Sequence, residues 1–127
     1  MTCDPANEVA PRCRLRRWYT RPGVTVTGYG GDDRIEVLPD AHFVIGRVAD
    51  ADLAISGQIG GARTFSVFWR PPSWIFHVNN EWAIAVVDGN RLRGMVFASA
   101  PLHDGSVIEI RDVHSDEPVH RLRVELG

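Results

Sequence analysis

Apolar and polar residues alternate along most of this chain with a period of two, and turn residues interrupt the alternation about every 8–12 positions. Val24-Thr25-Val26-Thr27 alternates and ends at Gly28-Tyr29-Gly30-Gly31-Asp32-Asp33, which reads as a hairpin turn. Arg34 to Val37, His42 to Ile45, Leu53 to Ile55, Phe65 to Trp69 and Trp74 to Val78 follow as short strands. Trp82 to Val87, Met95 to Phe97, Val107 to Ile110 and His120 to Leu126 complete the series. In the last of these, Leu122, Val124 and Leu126 share one face while Arg121, Arg123 and Glu125 share the other. Helical periodicity is almost absent. The pattern predicts an all-β sandwich of about ten to eleven short strands.

On that phase Ile45, Leu53, Ile55, Val67, Phe76, Ile108 and Val124 point inward and form the expected core. The less regular residues 1–23 are expected to be a basic and aromatic extension, loosely attached or packed on one edge. Residues 24–127 are expected to be the sandwich itself. A chain of 127 residues has room for one such core and not for two.

Composition narrows the function classes. The chain is 44% hydrophobic and 24% charged, with a formal net charge of −2, so a general nucleic-acid binder is not expected. All 14 basic residues are arginine. No run approaches the roughly 20 apolar residues of a membrane span, and the N-terminus has no apolar signal-peptide centre. The expectation is therefore a cytoplasmic protein with no membrane partner. Cys3 and Cys13 are read as two free thiols, a disulfide or half a metal site being the alternative.

The most informative segment is "FVIGRVADADLAIS", residues 43–56: an apolar strand ends in Gly-Arg, an acidic loop follows, and a short strand resumes. Further on come Arg63 before an aliphatic-aromatic strand, the Asp88-Gly89 turn, and "APLHDGSVIEI", residues 100–110. This order resembles the forkhead-associated (FHA) domain over roughly residues 24–126. "FVIGRVADADLAI" is similar to that family's Ile-Gly-Arg with its Asp-containing loop. "PLHDGSVIEI" is similar to its Leu-x-x-Gly-Asp turn, with Ser106 where Asp is usual.

The resemblance implies a β-sandwich whose loops at one end typically bind phosphothreonine peptides. It places Arg47 and Arg63 at that end, with Thr64, Asn79 and Asn80 as further candidates for partner contact. Arg47 has donors matched to a phosphate, or alternatively to neighbouring loop carbonyls. Gly46, Gly89 and Gly105 are expected as structural turn residues. The family's Ser-Arg-x-His corresponds to Ala62-Arg63-Thr64-Phe65 here, and its Asn-Gly-Thr falls on Ala83, Ile84 and Ala85. With those donors replaced, the expected function is a protein–protein interaction module that is phosphate-independent or binds phosphothreonine only weakly. The alternatives are a working phosphothreonine reader using Arg47 and Arg63 or, from a different class, a small β-sandwich metal-binding protein or enzyme. The expected partner is a protein, a phosphorylated peptide or kinase-pathway protein among the candidates.

No cofactor or metal and no catalytic residue is expected. The five histidines do not form a His-x-His cluster, and the loose group Asp112, His114, Asp116 and Glu117 reads as a solvated hairpin loop. There is no Gly-x-Ser-x-Gly nucleophile motif. Trp69, Trp74 and Trp82 are expected to fill or cover the core. Trp18, among the arginines of residues 12–21, either pins the extension to the sandwich or helps hold an acidic or nucleic-acid partner.

Overall fold

The computed structural model describes residues 9–93 and 98–127. Cys3 and the expected strand Met95 to Phe97 lie outside the described residues. The elements are β1 (Cys13–Thr20), β2 (Val26–Thr27), β3 (Arg34–Val37), β4 (Phe43–Gly46), β5 (Leu53–Ile55) and β6 (Arg63–Arg70). They continue with β7 (Ser73–Val78), β8 (Ile84–Val87), β9 (Asn90–Arg93), β10 (Ser99–Leu102), β11 (Val107–Arg111) and β12 (Pro118–Leu126). Among the described residues there is no helix, and so none long and apolar enough to cross a membrane.

Two six-stranded sheets pack face to face, in the orders β3-β1-β12-β11-β8-β9 and β10-β7-β6-β4-β5-β2. All neighbours are antiparallel except β4 and β5, which run parallel with Ile45 opposite Leu53. The inward phase is apolar on both sheets except at His120 of β12. All seven residues expected in the core are fully buried. Phe65 stacks on Phe76 between them, with ring centroids 5.3 Å apart.

Three features differ from the sequence reading. Residues 13–20, assigned above to an extension, form β1, an eight-residue strand hydrogen-bonded on both sides between β3 and β12. Cys13 and Leu15 point into the core while Arg14 and Arg16 lie on the outer face, so the alternation is present. A bulge between Arg17 and Tyr19 breaks its phase, which is why the segment looks irregular in sequence. Second, Gly28 to Asp33 is a crossover between sheets and not a hairpin turn, because β2 pairs with β5 and β3 pairs with β1. Third, Trp82 is 70% exposed and covers no core, whereas Trp74 is buried and donates its indole N–H to the Pro11 carbonyl at 2.9 Å.

The crossover is fastened by a buried polar cluster. The Tyr29 hydroxyl lies 2.6 Å from His120 Nε2, and the Thr20 hydroxyl lies 3.0 Å from His120 Nδ1. Burial, reinforced by the positive charge of Arg17, pushes the His120 pKa down to about 4, so the ring is neutral near neutrality. Cys13 is a free, buried thiol, and burial with the nearby Glu36 pushes its pKa up to about 12. That thiol is inert as a nucleophile or metal ligand.

Candidate functional site

Three loops meet at one end of the sandwich: residues 47–52 after β4, 56–62 before β6, and 79–83 between β7 and β8. Sheet register brings the first two together. Gly46 stands opposite Arg63, and the Arg47 N–H donates to the Ala62 carbonyl at 3.0 Å. The third loop joins through the Asn79 N–H, which donates to the Thr64 carbonyl at 2.8 Å. The Asn80 side-chain amide packs against Gly61 so closely that a Cβ there would overlap it. The β11–β12 loop is drawn in as well, its Val113 N–H donating to the Gln58 carbonyl at 2.8 Å.

The acidic loop has two separate jobs. The Asp52 carboxylate accepts the Val44 N–H at 2.8 Å and ties the start of β5 back to β4. The Asp50 carboxylate accepts from the Arg63 guanidinium at 3.2 Å, in a pair exposed on both sides.

The five candidate residues share this end, but their side chains differ in what they offer. Arg47 is exposed, and among the described residues its guanidinium makes no ion pair or hydrogen bond. It lines an open depression of about 250 Å³ with Thr25, Thr27, Ala49, Ala54 and Ser56. Arg63 is exposed but already faces Asp50. Thr64 is fully buried and donates its hydroxyl to the Gly61 carbonyl at 2.6 Å, so it shapes the loop and offers nothing to a ligand. Asn79 donates its side-chain amide to the Ser66 hydroxyl. Asn80 accepts the Trp82 N–H at 2.9 Å on its side-chain oxygen, an Asx turn that presents Trp82 to solvent.

At the positions where the resemblance implies phosphate donors, Ala62 is an exposed methyl and Phe65 belongs to the core. Ala83, Ile84 and Ala85 are buried where β8 begins.

Trp82 is the residue of this surface that the sequence reading missed. With Ile84 and Val113 it lines a groove of about 430 Å³, rimmed by Glu81, Arg93 and His114. The Asn80-x-Trp82 spacing is the local signal that could have shown it, since asparagine commonly caps the backbone two residues on.

The turn glycines have different physical reasons. Gly46 does not adopt a left-handed conformation. It is required because a Cβ there would run into the Ala62 carbonyl across the β4–β6 bulge. Gly89, at φ 82°, follows Asp88 at φ 50° in the two-residue hairpin between β8 and β9. Gly105 lies in the turn before β11, where the buried Ser106 hydroxyl donates to the Asp88 carboxylate at 2.7 Å. Both of these turns lie at the end of the sandwich opposite the three loops, as the β8–β11 register shows.

The Asp112 to Glu117 loop is held by arginines. Burial raises the Asp112 pKa, but the Arg21 guanidinium at 2.9 Å and the N–H groups of His114 and Ser115 outweigh it and hold the value down to about 2. Asp116 accepts from Arg91 at 2.8 Å. Among the described residues no group of three or more His, Cys, Asp or Glu side chains is placed to hold a metal ion.

No protein-family model and no curated protein matches the chain. Solved structures do. The solution structure of the FHA domain of an Arabidopsis thaliana hypothetical protein superposes with a TM-score of 0.64 at 17% identity, covering 92% of this chain and 86% of that one. An FHA domain from Mycobacterium tuberculosis gives a TM-score of 0.61 at 14% identity over 94% of this chain and 99% of that one. A yeast FHA domain, solved with a doubly phosphorylated (pT) peptide, gives 0.57 at 15% identity over 99% and 82%. The two-sheet sandwich is thus the FHA fold.

Proposed function

We propose that this FHA-fold domain is a protein-interaction module whose partner docks on the three-loop end, with little or no contribution from phosphothreonine. The similarity to solved FHA domains supports a recognition role over a catalytic one. The observation that carries the proposal is the state of the donors around Arg47. A phosphate dianion needs several charge-assisted donors to offset its desolvation. Among the described residues the Arg47 guanidinium has no partner, the Arg63 guanidinium faces the Asp50 carboxylate, the Thr64 hydroxyl is buried, and residue 62 ends in a methyl. The Asp50 carboxylate beside Arg63 would repel an incoming phosphate and compete with it for that guanidinium. The exposed indole of Trp82 and the apolar floor of its groove offer a partner contact that needs no phosphate.

The proposal is tested by restoring the donors. The double variant Ala62→Ser with Asp50→Ala supplies a hydroxyl and frees Arg63. It should raise affinity for phosphothreonine peptides about tenfold, the worth of one good charge-assisted hydrogen bond, while unphosphorylated peptides are unaffected. No gain would mean that these two positions are not what limits phosphate binding.

A further inference from the structure

The outer face of the first sheet carries a second charged surface, separate from the three loops. Register sets its side chains in rows across β3, β1 and β12. One row reads Glu36, Arg14, Glu125, with opposite charges beside each other. The next reads Arg34, Arg16, Arg123, three arginines directly opposite one another. Like charges facing across strands destabilise a sheet, so the fold itself gains nothing from this row. Arg34 is satisfied by Glu125 at 2.6 Å. Arg16 and Arg123 are exposed and make no ion pair with any described residue, although eight of the other arginines do.

Trp18 stands beside them. It is the extra residue of the β1 bulge, and it is 56% exposed. The Arg123 guanidinium lies over its ring at 4.8 Å, and Arg121 lies over Tyr19 at 5.2 Å. Arg16, Arg17, Trp18 and Arg123 line a depression of about 310 Å³. Because Arg123 pairs with Val107, at the start of β11, this surface lies toward the end opposite Arg47.

From this arrangement we infer that the Arg16–Trp18–Arg123 face binds an acidic protein segment through its carboxylates. Contact with the Trp18 ring restrains the Arg123 guanidinium, and no described residue hydrogen-bonds to its N–H groups. A carboxylate takes two parallel hydrogen bonds on the edge of a guanidinium. A single-stranded nucleic acid fits less well, since it needs bare aromatic faces for its bases, and one face each of Trp18 and Tyr19 already carries an arginine. The inference does not depend on what docks at the three loops.

The test is a titration of the whole protein with an oligoglutamate peptide, followed by isothermal calorimetry at low and high salt. Binding should weaken as salt rises and fall about tenfold or more in Arg16→Glu and in Arg123→Glu. Both side chains are exposed and the changes relieve a like-charge contact, so thermal melts should show both variants folded. Arg70→Glu makes the same charge change on the other sheet and should bind as the wild type does. An equal loss in Arg70→Glu would reduce the effect to net charge. Tighter binding of single-stranded DNA than of oligoglutamate, or no oligoglutamate binding by the wild type, would overturn the inference.

Discussion

Gly46 and Ala62 pack so closely that a methyl group on Gly46 would overlap the Ala62 carbonyl oxygen. That approach lets the Arg47 N–H close on the same carbonyl and holds two of the three loops together. Gly46→Ala should therefore destabilise the protein by about 1–3 kcal/mol, the usual cost of overpacking. Gly31→Ala meets no atom within 4 Å and should be near neutral. Thermal or denaturant melts of the two variants make the comparison, and equal stability would show that the loops do not depend on this contact.

His120 makes stability depend on pH over a defined window. Its pKa is about 4 in the folded protein and near 6.5 in the unfolded chain. Between those values the unfolded chain takes up a proton that the folded protein refuses. The stabilisation is complete above about pH 6.5, declines as pH falls, and reaches its full loss below about pH 4, on the order of 3 kcal/mol. Denaturant melts between pH 7 and pH 4 should show this decline, and His120→Gln should flatten most of it.

Two tryptophans from neighbouring elements should behave oppositely. Trp74 is buried, and Trp74→Ala should cost about 3–5 kcal/mol. Trp82 is exposed, and Trp82→Ser should change stability by no more than about 0.5 kcal/mol. Comparable losses in both would mean that Trp82 serves the core after all.

Ile108 tests the strand phase taken from alternation. It is fully buried opposite Leu122 and Val87, so Ile108→Ala should cost about 2–5 kcal/mol. A loss typical of surface positions would show the wrong register.

The core was legible because burial follows a period of two wherever a strand is regular, as in Leu122 and Val124 of β12. β1 was not legible as part of the sandwich because its outer face is arginine and the bulge at Trp18 resets its phase. The sheet-to-sheet crossover at Gly28 to Asp33 was hidden because a glycine-rich run signals a change of direction without saying which strand comes next. At the site, the resemblance to FHA domains implied that Arg47, Arg63 and both asparagines share one end, and the loops 47–52, 56–62 and 79–83 do meet there. The resemblance carried no information on pairing: that Asp50 would face Arg63, or that Thr64 would turn inward to Gly61, depends on contacts between loops. The exposure of Trp82 was likewise hidden, since a tryptophan before an apolar run resembles the start of a buried strand.

Protein recognition at the three-loop end that does not depend on phosphothreonine can be read from a single titration series. A phosphothreonine peptide library is titrated beside the matched unphosphorylated library, with the wild-type protein and with Arg47→Ala. The expected result is no more than a small, salt-sensitive preference for the phosphorylated peptides, as for exposed charge pairs. Micromolar or tighter binding that requires the phosphate and disappears in Arg47→Ala would contradict it and establish a working phosphothreonine reader.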